Sequence, residues 1–241
     1  MKYSKIILIL LSVLLFLTNS CELKSINGSG NIIKESRSVS GFNRVSISGS
    51  GHLFISQGDN ESLIIECDAN IEPHILSIVR DKTLEIGPKK LNLNPSEPIK
   101  YFLSLRNLRA LKTSGSILVR STALRTENLS VVINGSGKLI LGSIEAQSIT
   151  LNISGSGKVN IESGYSKNQR LSISGSGEFN VPNLKSENAD INIRGSGKAT
   201  VWVTNKLSIK ISGSGKLYYY GSPRISSTIS GSGKVDSLGA K

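Results

Sequence analysis

The tripeptide Gly-Ser-Gly recurs along the chain at nearly constant intervals, and this repeat restricts the possible folds more than any other feature of the sequence. It begins at Gly28, Gly49, Gly135, Gly155, Gly175, Gly195, Gly213 and Gly231. A near match, Gly-Ser-Ile, begins at Gly115, and from there the successive steps are 20, 20, 20, 20, 18 and 18 residues. Such a period is typical of a repeat protein in which each unit stacks on the next.

Alternating apolar residues flank each triplet, which predicts β-strands. In one repeat these are Leu151, Ile153, Val159 and Ile161, and they share odd numbering with both glycines of the triplet. Because strand side chains alternate between the two faces, we expect both glycines to face the interior and Ser156 to face solvent. The missing side chains indicate a point where the backbone bends or approaches another wall too closely for a Cβ atom.

A strand-containing unit of this length, with no helical pattern between strands, predicts an all-β fold, a parallel β-solenoid of about 18 to 22 residues per coil. At about 3.3 Å per residue, a coil has a contour of roughly 66 Å, enough for two or three flat walls. The 66 residues between Gly49 and Gly115 would fit three further coils, with Pro73, Pro88, Pro95 and Pro98 in loops. An antiparallel sandwich is the alternative for this segment.

The N-terminus has the pattern of a bacterial export signal. Lys2 and Lys5 precede an apolar run over residues 6–17, shorter than the roughly 20 residues that span a bilayer. The small residues before Cys21 are similar to a lipobox, so we predict that residues 1–20 are a signal peptide and that Cys21 is lipidated. The alternative is an ordinary secretory peptide with an incidental Cys21. The other cysteine, Cys67, ends an alternating apolar run and is expected to be a buried hydrophobic residue.

The segments "ISQGDNESLIIECD", residues 55–68, and the serial "SGSGK" repeats resemble the auto-transporter adhesin family known as the head GIN domain. The resemblance covers residues 41–241, which leaves residues 21–40 as an anchor, linker and first strand. It implies a right-handed single-stranded parallel β-helix in secreted or lipid-anchored bacterial proteins. It carries over no catalytic residue, and it places the chain in the cell envelope, at the outer membrane or the periplasmic face.

Stacking at the observed steps predicts columns of polar residues on the outer face. One column contains Lys138, Lys158, Glu178, Lys198, Lys216 and Lys234. Columns of serine and asparagine lie beside it. One interpretation is that the lysines provide solubility and protect against edge pairing. The other is an anion-binding stripe for acidic polysaccharide or lipopolysaccharide, with nucleic acid not expected as a partner.

The same steps predict an apolar column near the C-terminus. It contains Pro182, Trp202, Tyr220 and Leu238, with Tyr218 one strand-face position away. Exposed, this column would be a platform for glycan stacking or a protein contact, and the alternative is that a loop or the final tail covers it. Because no helix follows to cap the last coil, we also expect self-association or partner binding through the C-terminal coils.

The acidic residues do not favour catalysis. A polysaccharide-cleaving β-helix would need two carboxylates about 5 to 9.5 Å apart, and no two acidic residues of the regular coils share a column on adjacent coils. The "GSGK" segments lack the full phosphate-binding P-loop, and an apolar residue stands where calcium-binding repeats need Asp. We therefore predict no cofactor, no metal site and no enzyme activity. The expected function is a non-catalytic envelope module that presents a repetitive Ser, Asn and Lys surface to glycan or protein, and the alternative is a polysaccharide-cleaving enzyme.

Overall fold

The computed structural model describes residues 25–89 and 92–241, so the predicted signal peptide and Cys21 lie outside the described residues. The N-terminal strands are β1 (Ser25–Asn27), β2 (Ile32–Arg37), β3 (Arg44–Gln57), β4 (Ser62–Asp68), β5 (Ile75–Arg80), β6 (Thr83–Pro88), β7 (Asn92–Asn94) and β8 (Lys100–Leu105). The long strands that follow are β9 (Ala110–Gly135), β10 (Lys138–Gly155), β11 (Lys158–Gly175), β12 (Glu178–Gly195) and β13 (Lys198–Gly213). The chain ends with β14 (Lys216–Tyr220), β15 (Arg224–Ser230) and β16 (Lys234–Ser237), and a 3-10 turn lies at Glu72–His74.

Strands β9 to β13 are the coils of a parallel β-solenoid, which confirms the predicted fold. The pairing of β10 with β11 runs over residues 138–141, 143–146 and 148–155, each opposite the residue 20 positions later. The unpaired residues between these segments mark the corners, so each coil is three-sided. We call the three segments, with their equivalents in other coils, the first, second and third walls. No helix of the described residues is long and apolar enough to cross a membrane.

Odd-numbered apolar residues of the first and third walls fill the interior, and on the second wall the buried residues are even-numbered, such as Ile144 and Ala146. In β10, Leu139, Leu141, Ile149, Leu151 and Ile153 are all buried. Each lies opposite an apolar residue or glutamine of the next coil, so a single continuous core extends along the stack. Full burial of one such aliphatic side chain stabilises the fold by about 1.5 to 3 kcal/mol, and this burial requires the neighbouring coil.

The Gly-Ser-Gly triplet forms one corner of every coil, and its two glycines have different roles. Only the second glycine faces the interior, where a Cβ on Gly177 would lie 2.7 Å from Ile153 Cγ2. The first glycine is exposed and has a positive φ, which is +119° at Gly175. A Cβ at Gly175 would lie 2.6 Å from the carbonyl oxygen of Gly155 in the preceding coil. The expectation that both glycines face inward is therefore wrong for the first of them. The backbone that lies closest to the first glycine belongs to the preceding coil and not to an opposite wall.

The region before β9 closes the N-terminal end of the solenoid with mixed strand pairing. On the first wall, β3 pairs in parallel with β8. Strand β8 pairs antiparallel with β4, and β4 pairs antiparallel with β2. On the third wall, β3 pairs in parallel with β6, which is antiparallel to β5. The expected three additional coils do not form, and antiparallel pairs cover both walls instead. Cys67 is buried here as predicted, and burial raises the pKa of its thiol to about 11.

Asp68 holds the loops of this N-terminal region together. Its buried carboxylate accepts hydrogen bonds from the Gly30 N–H at 2.7 Å, the Ser96 N–H at 2.9 Å and the Ser96 hydroxyl at 2.6 Å. These bonds lower the pKa of Asp68, the Ser96 hydroxyl most strongly, while burial opposes them. The ionised side chain therefore joins the end of β4 to the segment after β1 and to the loop before β8.

We expect Asp68→Asn to lower the melting temperature at pH 7. Both carboxylate oxygens of Asp68 accept hydrogen bonds, so the asparagine NH₂ group, which is a donor, would face another donor and one bond would be lost. The folded-state pKa is lowered, so this stabilisation is complete above the unfolded-state pKa, near 3.8. It is lost as the pH falls through the folded-state value. Thermal melts from pH 7 to pH 2 should therefore converge for wild type and variant at the acidic end. Exposed Asp59→Asn is the control, and a constant difference between wild type and Asp68→Asn at every pH would contradict this account.

Candidate ligand-binding wall

The outer face of the first wall carries the predicted lysine column. The strand register places Lys138 opposite Lys158, then Glu178, Lys198, Lys216 and Lys234 in successive coils. Toward the N-terminus, the same column continues through Leu118, His52 and Lys100. Neighbouring coils lie about 4.8 Å apart, so the side chains form a regular row along the solenoid axis. We call this row the lysine column.

Most of the positive charge in the lysine column faces solvent without a carboxylate partner. At the N-terminal end, Lys100 donates to Glu66 at 2.6 Å, and this bond lowers the pKa of Glu66. Among the column lysines after Lys100 in the described residues, only Lys158 lies within 4.0 Å of a carboxylate, at 3.6 Å from Glu178. Adjacent ammonium groups repel by about 1 kcal/mol in water. A bound anion would relieve this repulsion.

An apolar groove of about 580 Å³ lies at the N-terminal end of the same wall. Its centre is a stacked pair of aromatic rings, Phe54 and Phe102, whose centroids are 5.2 Å apart at an interplanar angle of 13°. Ile64 and Ile140 extend the apolar floor, and Arg120 lies between Phe54 and Ile140 in the register. Serine side chains, Thr122 and the Glu162 carboxylate also line the groove. The groove thus combines a flat apolar surface with one guanidinium, one carboxylate and several hydroxyl groups.

The groove was not predicted from the sequence, although the sequence contains a signal for it. Phe54 stands between inward Leu53 and Ile55, and Phe102 is outward beside inward Tyr101 and Leu103. A phenylalanine on the polar side of an alternating strand is the unusual feature. The two phenylalanines are adjacent only because β8 pairs with β3, and that pairing joins segments about 48 residues apart.

An amide ladder connects the groove to the C-terminal part of the wall. Asn180 donates from its side-chain amide to the Asn160 amide oxygen at 3.0 Å, and both follow Ile140 in the same column. Thr200 and Tyr218 continue the column, and the Lys198 ammonium lies 5.2 Å from the centre of the Tyr218 ring. The wall therefore offers aromatic, amide and cationic groups in one line.

The predicted C-terminal apolar column forms only in part. Trp202 lies opposite Tyr220, but a register shift in β12 places Lys185 opposite Trp202, so Pro182 is not the paired neighbour. The Lys241 ammonium covers both rings, at 5.4 Å from the Trp202 ring and 4.6 Å from the Tyr220 ring. It also donates to the Pro182 carbonyl oxygen at 2.9 Å. Leu238 remains 43% exposed. The final tail thus covers the aromatic part of this column.

The described residues do not form an evident catalytic centre. Residues 25–89 and 92–241 contain no group of three or more His, Cys, Asp or Glu side chains that could hold a metal ion. One shallow groove on the second wall contains two carboxylates, Glu127 and Glu145. Glu145 lies 2.6 Å from the Arg125 guanidinium, and its side chain is 60% exposed. The general acid of a glycoside hydrolase lies in an apolar pocket, whereas Glu145 is exposed and ion-paired with Arg125.

The chain matches one protein family and is similar to several solved structures. A family model described as "Putative auto-transporter adhesin, head GIN domain" matches residues 41–223. A solved structure of a "putative adhesin" from Bacteroides fragilis is similar with a TM-score of 0.82 and 24% identity, over 88% of this chain and 100% of that chain. A "putative lipid binding protein" from Parabacteroides distasonis has a TM-score of 0.74 and 24% identity, over 89% and 100%. A "putative adhesin" from Parabacteroides merdae has a TM-score of 0.70 and 20% identity, over 89% and 99%. No curated protein matches the chain.

Proposed function

Because this chain belongs to the head GIN domain family of auto-transporter adhesins, we propose that it is a non-catalytic binding module of the bacterial cell envelope. Its ligand is an acidic glycan that lies along the outer face of the first wall. The observation that carries this proposal is the position of the stacked Phe54 and Phe102 rings on the same wall as the lysine column. Ligand sites combine apolar and aromatic surface with a few placed polar groups, and here one wall holds both in a fixed register.

Each group on the wall has a distinct part in the proposed complex. The apolar face of a sugar ring packs on the phenylalanine pair, while Arg120 donates two hydrogen bonds to a sugar carboxylate or sulfate. The Asn160 and Asn180 amides bond to hydroxyl groups, and the lysine column attracts further acidic sugars along the stack. The solenoid is stiff because each coil pairs with its neighbours, so the ligand orders few protein groups when it binds.

The groove also has a property that favours a second ligand class. Its floor is largely aliphatic and aromatic, so an acyl chain could occupy it, with its carboxylate at Arg120. The similar structure from Parabacteroides distasonis is that of a "putative lipid binding protein". The lysine column, however, extends for several coils beyond the groove and has no role in holding a single acyl chain. This extension is why we favour a glycan.

A glycan array probed with the mature chain carrying Cys21→Ser tests the proposal. We expect retention of uronic-acid-containing or sulfated polysaccharides, and we expect it to weaken as salt rises from 50 to about 500 mM, because exposed charges are screened. Titration with laurate in parallel separates the two ligand classes. Retention of laurate without any glycan would assign the groove to lipid and refute the proposal. Equal retention of neutral and acidic glycans would exclude a role for the lysine column.

We also propose that lipid on Cys21 attaches the module to the envelope, with residues 1–20 removed on export. Cys21→Ser is expected to move the protein from the membrane pellet to the soluble fraction, because an acylated cysteine would supply the membrane affinity. Cell fractionation with an antibody against the chain measures this. The matched control is Cys67→Ser, which changes a buried thiol and should stay with the membranes. A Cys21→Ser variant that remains in the pellet would show a different means of attachment.

A further inference from the structure

On the third wall, the C-terminal end of the solenoid is an uncovered strand edge, whereas on the first wall β16 covers β14. Strand β15 pairs along one edge with β13, and within the described residues its other edge has no partner strand. Between Ile225 and Ser230 this edge contains no lysine, no proline and no bulge, the features by which proteins block strand addition. Its backbone N–H and C=O groups are therefore available to another strand.

The interior apolar columns continue into β15 and end in solvent. Ile225 lies opposite Leu207, and Ile229 lies opposite Ile211. Leu207 and Ile211 are fully buried, whereas Ile225 is 44% exposed and Ile229 is 42% exposed. The two isoleucines face the direction of the core, and on the third wall no described strand lies above them, although β16 continues the first wall beyond β14. The strand therefore lacks both backbone partners and apolar cover on the same side.

The two ends of the molecule are not equivalent. At the N-terminal end, antiparallel strands β2, β4 and β5 extend the walls beyond β3, and the outermost strand of the first wall, β2, carries Lys34, Glu35 and Arg37, charges of the kind that block strand addition. A copy that stacked head to tail would have to place its open coil on this charged end. The C-terminal edge can therefore be continued by another open C-terminal edge, which gives a closed pair and not a fibre.

We propose that two copies of this chain form a two-fold dimer in which their β15 strands pair antiparallel, centred on Ser227. This register places Ile225 of one copy opposite Ile229 of the other, so the exposed isoleucines cover each other. Arg224 lies opposite Ser230, so no like charges meet, and Ser226 lies opposite Thr228, where two hydroxyl groups face each other. The spacing of four residues between the isoleucines is what makes β15 complementary to itself.

The dimer uses different residues from the apolar column expected near the C-terminus. The Trp202 and Tyr220 rings lie beneath the Lys241 ammonium, and neither residue belongs to β15. The proposed contact involves the third wall, and it leaves the lysine column and the Phe54 groove open to solvent. The proposal therefore stands independently of the proposed glycan function.

Sedimentation of the mature chain carrying Cys21→Ser tests the dimer. We expect a dimer at 100 µM and a monomer after Ile225→Lys with Ile229→Lys, which places four charges in the contact. The matched control is Phe102→Lys with Tyr165→Lys, at apolar positions that are 36% and 37% exposed, and it should remain dimeric. Circular dichroism checks that both variants are folded. A monomeric wild type at 100 µM, a dimeric Ile225 and Ile229 variant, or assembly into larger species would each overturn the proposal.

Cross-linking tests the register. The two-fold axis brings the two copies of residue 227 directly opposite, at about 4.5 to 5.5 Å between Cα atoms, which a disulfide can bridge. We therefore expect Ser227→Cys to form a covalent dimer rapidly under mild oxidation, with buried Cys67 as the remaining native thiol. Ser226→Cys should cross-link at least tenfold more slowly, since residue 226 lies opposite residue 228. Faster cross-linking at residue 226 would show a different register and would refute this dimer.

Discussion

Replacing Gly175 with alanine is expected to lower the free energy of unfolding by about 2 to 3 kcal/mol, and replacing it with valine is expected to lower it further. A φ of +119° is strained for any residue with a side chain. In addition, the first added carbon would lie 2.6 Å from the Gly155 carbonyl oxygen, which is fixed in the strand of the preceding coil. Alanine is therefore harmful for the same reason as valine.

Urea unfolding followed by circular dichroism measures this effect as a shift in midpoint. Ser176→Val is the matched control, because Ser176 is the exposed neighbour of Gly175 and should tolerate the larger side chain within about 0.5 kcal/mol. The alanine variant distinguishes the two explanations of the triplet. If only lost interior space mattered, alanine would be tolerated and valine would not. A Gly175→Ala variant that unfolds at the wild-type midpoint would therefore contradict the corner geometry.

Reversing two charges of the lysine column is expected to weaken binding of an acidic polysaccharide by at least tenfold. The variant is Lys138→Glu with Lys216→Glu, one residue near the groove and one near Tyr218. Each charge-assisted contact contributes about 1.5 to 3 kcal/mol, and 1.4 kcal/mol corresponds to a factor of ten. The added carboxylates also repel the ligand. Titration calorimetry at low salt with the polysaccharide retained on the array measures the dissociation constant.

The third wall offers a control with the same change in net charge. Lys206→Glu with Lys210→Glu alters exposed lysines that face away from the first wall, so only the long-range attraction should change. Equal loss of affinity in both variants would show that net charge alone attracts the ligand. It would then remove the lysine column from the binding site while leaving the groove to be tested by Phe54→Ala.

The regular coils were predictable because a parallel stack has one simple rule. A constant step of 20 or 18 residues fixes which residues lie opposite, and so the positions of Lys138, Lys158 and the following lysines were correct. The rule fails where a coil changes length. Between Asn180 and Lys185 the register shifts, and Trp202 acquires Lys185 as its neighbour in place of Pro182. Alternation alone does not show where the extra residues are accommodated.

The orientation of the glycines was predicted only in part, for a related reason. Alternation holds within a strand, but the strand ends at Gly175 and the next begins at Glu178. Across this corner the backbone turns at a positive φ, so Gly175 and Gly177 share numbering parity without sharing a face. The bend was inferred from the glycine content, but the residue that makes it could not be distinguished from the residue that packs behind it.

The groove and the N-terminal closure depend on long-range pairing that no local pattern encodes. Strands β4 and β8 have ordinary alternating sequences, which are equally compatible with parallel and antiparallel neighbours. The antiparallel arrangement follows from the turns and from contacts such as the Asp68 carboxylate with Gly30 and Ser96. Likewise, the cover that Lys241 provides for Trp202 depends on the path of a tail with no repeat of its own.

Because the step between coils is uniform, the number of coils can change without altering the pairing within any one coil. Residues 158–177 bond to the coil before and to the coil after in the same register, and neither neighbour depends on how many coils lie beyond. Duplicating such a segment would add one rung of about 4.8 Å and leave every other contact as it was. Gene duplication in a lineage of these proteins would therefore lengthen the outer walls one rung at a time without a change of fold.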